Sequence, residues 1–165
     1  MSLDIAIVGA GPAGSWAAWC LARAGATVAI FDASHPREKP CGGGITSRAL
    51  DIVGSRVAAL PHVVPSTAVF EDDRALARVP LRTDGFSGAS SMAVMCRRDF
   101  DRALLDSARE QGAELVAERV TSIELRTDRV VLRTPARTCR ARFVLGAAGA
   151  TSLVRRRLSR AFPRA

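Results

Sequence analysis

A glycine-rich segment near the start of the chain has the G-x-G-x-x-G spacing that suits a bound phosphate group. It consists of Gly9, Ala10, Gly11, Pro12, Ala13 and Gly14. The first glycine permits a tight turn, the second lets a pyrophosphate approach the backbone, and the third lets a helix pack closely on a strand. Asp32 follows roughly 20 residues later, where a carboxylate accepts hydrogen bonds from both ribose hydroxyls of an adenosine and disfavours a 2′-phosphate. These residues predict a dinucleotide site.

The elements around this motif are those that such a site requires. Residues 3–8 are nearly all apolar, which is typical of a parallel strand covered on both faces. Residues 13–24 predict a helix that Gly25 ends, and residues 27–31 predict a second strand that leads into Asp32. This order of elements, a strand, a loop, a helix, a second strand and an acidic residue, predicts an α/β, Rossmann-like FAD/NAD(P)-binding fold with a parallel central sheet.

The rest of the chain predicts further short elements and a small antiparallel β addition. The predicted strands are residues 67–70, 76–81, 92–96, 114–116, 119–125, 129–134 and 142–145. The first two of these pair as a hairpin, and so do 119–125 and 129–134. Helices are predicted for residues 47–53, for residues 98–111 and from about residue 151.

Composition sets the limits on other functions. A chain of 165 residues with 48% hydrophobic and 24% charged residues suits one soluble domain. It contains no apolar run of about 20 residues and no charged leader, so we expect a cytoplasmic protein. The four cysteines include no C-x-x-C pair, which predicts reduced thiols and no metal site. The net charge of +8 comes from arginines spread along the whole chain, so we expect no nucleic-acid partner. An anionic cofactor or a membrane surface accounts for some of that charge equally well.

Three further segments resemble the flavoproteins that include geranylgeranyl reductases and, more distantly, aromatic-ring hydroxylases of the para-hydroxybenzoate hydroxylase type. Residues 36–44 read P-R-E-K-P-C-G-G-G and are similar to the K-P-C-G-G-G segment of the reductases. Residues 97–104 are similar to an R-x-x-F-D-x-x-L segment. Residues 146–155 read G-A-A-G-A-T-S-L-V-R and are similar to G-A-D-G-A-x-S-x-V-R. The resemblance implies that the dinucleotide is FAD.

The resemblance also implies roles for individual residues. Arg97 is expected near the ribityl or diphosphate part of the flavin cofactor, where a cation makes charge-assisted hydrogen bonds. Cys41 is expected beside the flavin ring, as a proton donor or a tuning group, although a free cysteine is also an ordinary small hydrophobic residue. The backbone of the three following glycines suits a planar ring, and Val120 is expected to meet the adenine through its backbone. The implied cofactor-binding residues are Gly9, Ala10, Gly11, Pro12, Ala13, Gly14, Asp32, Ala33, Cys41, Gly42, Gly43, Gly44, Arg97, Val120 and Gly149.

The implied reaction is reduction of an isoprenoid carbon–carbon double bond by hydride from reduced flavin, which an external donor such as NAD(P)H or ferredoxin recharges. The substrate is then a small molecule or an isoprenoid lipid, with peripheral membrane contact. Two alternatives stay open. One is a flavin monooxygenase that hydroxylates an aromatic substrate, and the other is a truncated, non-catalytic dinucleotide-binding module.

Two departures from the family pattern affect these expectations. Ala148 stands where the pattern has an acidic residue that helps to hold the ribityl chain. The flavoproteins are also longer, so we expect residues 1–165 to be the amino-terminal part of an FAD-binding domain. The substrate domain and a carboxyl-terminal flavin-binding segment would then be absent, and an apolar surface would be exposed. No role is assigned to His35 or His62.

Overall fold

The chain contains both strands and helices, and a computed structural model describes residues 2–38, 40–81 and 92–158. Lys39, which belongs to the K-P-C-G-G-G segment, lies outside these residues. The strands are β1 (Ser2–Val8), β2 (Val28–Phe31), β3 (Gly44–Thr46), β4 (His62–Val63), β5 (Thr67–Glu71), β6 (Leu76–Pro80), β7 (Met92–Met95), β8 (Glu114–Val116), β9 (Ser122–Leu125), β10 (Val130–Arg133) and β11 (Thr138–Gly146). The helices are α1 (Pro12–Arg23), α2 (Ser47–Val57), α3 (Arg97–Glu110) and α4 (Leu153–Leu158), with one 3₁₀ turn at Gly149–Thr151.

The chain divides into two compact units, of which the first comprises residues 1–37 and 104–165. Its six-stranded sheet has the order β8-β2-β1-β11-β10-β9. The four strands from β8 to β11 in this order are parallel, whereas β10 is antiparallel to both of its neighbours. The predicted fold class, a parallel central sheet with a small antiparallel addition, is therefore confirmed.

Apolar residues cover both faces of the central strands, because successive side chains of a strand point to opposite faces. Val8 and Phe31 belong to one buried cluster, while Ile7 and Ile30 belong to a second cluster that includes residues of α1. This packing explains why β1 and β2 are continuous apolar runs. Phe143 on β11, by contrast, carries an exposed apolar side chain that is 61% accessible.

The second unit, residues 38–103, contains a three-stranded sheet of order β3-β7-β4 and the β5-β6 hairpin. The hairpin confirms the predicted pairing, with Phe70 opposite Ala77. Helix α2 is longer than predicted because Leu50, Val53 and Val57 form one buried stripe at helical spacing.

The main differences from the predicted elements concern short or polar strands. The prediction missed β3 and β4, since such short segments become strands only by pairing with β7. β11 begins at Thr138 rather than at residue 142, because Cys139 and Ala141 pair with β10 although arginines alternate with them. None of the helices in the described part of the chain has the length and apolar character of a membrane-spanning helix.

Candidate functional site

The glycine loop joins β1 to α1 in the first unit, and its glycines are required by close backbone approaches. Gly9 has φ +112°, and a Cβ on it would lie 2.6 Å from the carbonyl carbon and oxygen of Ala147. A Cβ on Gly14 would lie 1.9 Å from the Gly9 oxygen. Real Cβ atoms do not approach other atoms so closely, so any side chain at these positions would force the backbone apart.

The start of α1 suits an anionic group. Gly11 is the N-cap residue and makes no side-chain capping bond, Pro12 has no N–H, and the first turn carries no acidic residue. The helix amides and the positive end of its dipole are therefore not neutralised by a carboxylate of the helix itself. Ser15 is buried and its hydroxyl donates to the Ala10 carbonyl at 3.0 Å, which ties the loop to the helix. Backbone amides that are available at the start of a helix form the kind of site that the diphosphate of a dinucleotide requires.

The segment after β11 lies directly against this loop. The Ala147 N–H donates to the Val8 carbonyl at 2.8 Å, and atoms of Ala147 are those that a Cβ on Gly9 or Gly14 would meet. Thus the structure brings the first and the third motif together at the carboxyl ends of neighbouring parallel strands. Ala148 is exposed, and Gly149 has φ +73° at the start of the 3₁₀ turn.

Asp32 follows β2 and its carboxylate is held by four donors. Oδ2 accepts from the Ala10 N–H at 2.9 Å and from His35 Nδ1 at 2.8 Å. Oδ1 accepts from the N–H and the hydroxyl of Ser34, both at 2.8 Å. Burial alone would raise the pKa of Asp32, but the hydrogen bonds from Ala10 and Ser34 and the nearby His35 outweigh it and lower that pKa. Asp32 is therefore a preorganised carboxylate beside the glycine loop.

His35 is a residue of this site that the sequence analysis missed. Its side chain is only 6% exposed and makes the bond to Asp32 described above. The available signal was its position three residues after the terminal acid of β2, in a segment where Ser and Asp favour turns. Such a signal indicates a turn and does not by itself specify which ring nitrogen meets which oxygen.

Two other predicted cofactor-binding residues, Ala33 and Val120, also lie in the first unit. Ala33 is exposed in the bend after Asp32. Val120 lies in the connection after β8, the strand next to β2, and its side chain is buried in the first core cluster. The burial of this side chain leaves the Val120 backbone as the part available for the predicted contact with adenine.

The second unit brings together Cys41, Arg97 and Asp101. Arg97 Nη1 donates to Cys41 Sγ at 3.3 Å, and Nη2 donates to Asp101 Oδ1 at 3.0 Å. The Asp101 side chain is fully buried, whereas that of Arg97 is 17% exposed and Cys41 is exposed. The Gly43 N–H, followed by the hydrogen bond and charge of Arg97, lowers the pKa of the Cys41 thiol. The result is an accessible sulfur with increased thiolate character.

The three glycines after Cys41 differ in their surroundings. Gly43 has φ +75°, and a Cβ on it would lie 2.2 Å from the Met95 carbonyl oxygen of β7. A Cβ on Gly44 would lie 2.6 Å from Met92 Cε, while a Cβ on Gly42 would meet no atom within 4 Å. Gly43 is thus required for packing on β7, and only Gly42 is open. No group of three or more potential metal ligands occurs in the described part of the chain.

Comparisons with known proteins agree with this geometry. The family model described as FAD binding domain matches residues 2–164. The geranylgeranyl diphosphate reductase of Rhodobacter capsulatus is 35% identical over an alignment of 165 positions that covers 94% of this chain and 39% of that protein. The menaquinone reductase of Mycobacterium tuberculosis is 58% identical over 50 residues, or 30% of this chain and 12% of that protein.

Among solved structures, the flavin-dependent halogenase CmlS shares the fold, with a TM-score of 0.77 and 28% identity over 96% of this chain and 31% of that chain. The chain therefore spans less than two fifths of the length of each of these three proteins. The resemblance to geranylgeranyl reductases and the prediction of FAD as the cofactor are confirmed.

Proposed function

Because the chain belongs to the family of FAD binding domains, we propose that residues 1–165 form the FAD-binding domain of an oxidoreductase that reduces isoprenoid carbon–carbon double bonds. The single observation that carries cofactor binding is the glycine loop, in which Gly9 and Gly14 leave no room for a Cβ, next to the Asp32 carboxylate, which accepts a hydrogen bond from that loop. The loop takes the diphosphate, which its backbone amides and the α1 dipole stabilise. Asp32 takes the ribose, and the backbone of Val120 and Ala33 meets the adenine. Gly149 follows shortly after Ala147, the residue that lies against Gly9.

The elements of the second unit are assigned to the flavin end, from the geometry within that unit. Arg97 keeps one buried donor, Nε, with no hydrogen-bond partner in the described residues, and its other nitrogens hold Cys41 and Asp101. Asp101 fixes the guanidinium, so that Arg97 offers its charge in one orientation. The backbone at Gly42 is open, as a planar ring requires.

The proposed chemistry needs a hydride and a proton. Reduced FAD, when bound, supplies the hydride to one carbon of the double bond. The other carbon needs a proton, and Cys41 Sγ is the candidate donor. A lowered thiol pKa brings this group nearer to the working pH, where general acids are most effective. Arg97 then stabilises the thiolate that remains after the proton has left.

The similarity to the geranylgeranyl diphosphate reductase favours this reaction over aromatic hydroxylation. The substrate on this proposal is an isoprenoid small molecule or lipid, and the external reductant is NAD(P)H or a ferredoxin. For an isoprenoid lipid substrate, contact with a membrane surface follows from where such a molecule resides.

Cofactor binding is tested by mixing the purified chain with FAD and separating it by gel filtration. We expect flavin absorbance to elute with the protein, and we expect an Asp32→Ala variant to retain less. A chain that releases FAD but binds NAD tightly would contradict the flavin assignment.

The reaction is tested with geranylgeranyl diphosphate, FAD and dithionite under anaerobic conditions, by mass spectrometry of the product. Each reduced double bond adds two hydrogens, and a Cys41→Ser variant is expected to be slower, whereas Cys20→Ser, an exposed cysteine on α1, serves as the matched control. Oxygen-dependent hydroxylation of an aromatic substrate, without reduction of the isoprenoid, would support the monooxygenase instead. FAD binding without either reaction would contradict catalysis by residues 1–165 alone and would leave the cofactor assignment in place.

A further inference from the structure

Four hydrogen-bond donors already occupy the acceptor sites of the Asp32 carboxylate. An ionised carboxylate offers about four lone-pair sites on its two oxygens. The N–H of Ala10 and Nδ1 of His35 use those of Oδ2, and the N–H and hydroxyl of Ser34 use those of Oδ1. A ribose hydroxyl can therefore bond to Asp32 only by replacing one of these four donors.

The four donors are not equally easy to replace. The two bonds to Oδ2 are partly buried, and the His35 side chain is only 6% exposed. The two bonds to Oδ1 are exposed, and one of them comes from the Ser34 hydroxyl, which rotates about a single bond. Water or a ligand can take the place of that hydroxyl without any backbone movement.

The hydrogen-bonding role of His35 Nδ1 follows from its partner. A carboxylate oxygen only accepts hydrogen bonds, so Nδ1 must carry the proton in this contact. The bond is charge-assisted because Asp32 is ionised, and it is therefore stronger than a bond between neutral groups. His35 thus holds Oδ2 on the buried side of the carboxylate, together with the Ala10 N–H.

We propose that His35 is a positioning residue for the adenosine ribose. By fixing Oδ2, it leaves Oδ1 directed to the exposed side, where a ribose hydroxyl replaces the hydroxyl of Ser34. His35 acts through Asp32 and does not itself touch the reacting atoms. This inference rests on the proposed binding of FAD.

The two donors to this carboxylate therefore differ in their expected effect on the affinity for ADP. His35→Leu removes the donor that fixes Oδ2, and we expect it to weaken binding of ADP about tenfold, the loss typical of a hydrogen bond to a charged group. Ser34→Ala removes the donor that competes with the ribose, and we expect ADP to bind equally or about two to three times more tightly. His35→Asn keeps an N–H donor near the position of Nδ1 and should recover most of the affinity.

The test compares ADP with 2′,3′-dideoxyadenosine 5′-diphosphate by titration calorimetry on the wild type and the three variants. FAD is titrated in parallel, and thermal unfolding checks that each variant is folded. A positioning role requires that His35→Leu weakens ADP but leaves the dideoxy compound unchanged, because that compound has no ribose hydroxyl.

The outcomes separate this inference from the proposed function. Equal losses for both diphosphates, or no loss for either, would show a structural role or none and would overturn the positioning role. Weaker binding of ADP by Ser34→Ala would contradict the displacement of its hydroxyl. A wild type that binds neither ADP nor FAD would overturn the proposed function as well.

Discussion

Substitution of Gly14 by alanine sets two effects of opposite sign against each other. Gly14 lies within α1, where alanine is favoured over glycine by about 1 kcal/mol. The added Cβ would lie 1.9 Å from the Gly9 oxygen and 3.1 Å from the Ala147 Cβ. Overpacking typically costs about 1–3 kcal/mol, and a contact this short with backbone belongs at the upper end. We therefore expect the free energy of unfolding to decrease by about 2 kcal/mol.

For a chain of this size, about 2 kcal/mol corresponds to a decrease in Tm of about 4–8 °C. The measurement is thermal unfolding followed by circular dichroism, with Gly42→Ala as the matched control, because a Cβ on Gly42 meets no atom within 4 Å. We expect the control to unfold near the wild-type temperature, and we expect Gly14→Ala also to retain less FAD. A Gly14→Ala variant with a Tm equal to or above that of the wild type would refute the close packing of α1 on the loop.

Three further predictions concern charge. The folded-state pKa of Asp32 is lowered, so its contribution to the free energy of unfolding is fully present above about pH 4 and is lost as the pH falls through the folded pKa. Below about pH 4, the free energy of unfolding measured in urea should therefore decrease more steeply for the wild type than for Asp32→Asn. Equal pH dependence of the two proteins would contradict this. Removal of the cation in Arg97→Met should raise the pKa of Cys41 and slow its alkylation by iodoacetamide at pH 7, with Cys139, whose pKa burial raises, as the slow internal reference. The Ala148→Asp variant restores the acidic residue of the family pattern at an exposed position and should strengthen FAD binding about tenfold, measured by fluorescence titration; unchanged affinity would mean that the acid has no role here.

The local parts of the site were predictable because they depend on short-range rules. The spacing of the glycines, the apolar run of β1 and the acid after β2 each reflect constraints within a few residues, and the structure has all three in place. The parallel sheet followed from the same pattern. The exact length of α2 and the short strands β3 and β4 did not, because their ends depend on partners elsewhere in the chain.

The sequence by itself determined the glycine loop, the helix behind it and the carboxylate in front of it. Only the tertiary structure decided what these groups contact. Ala147 closes against Gly9 through the pairing of β1 with β11, His35 fixes one oxygen of Asp32, and Arg97 meets a cysteine 56 residues away in the sequence. Such contacts depend on how distant segments return to the same place and on side-chain rotamers. Residue spacing carries no information about either.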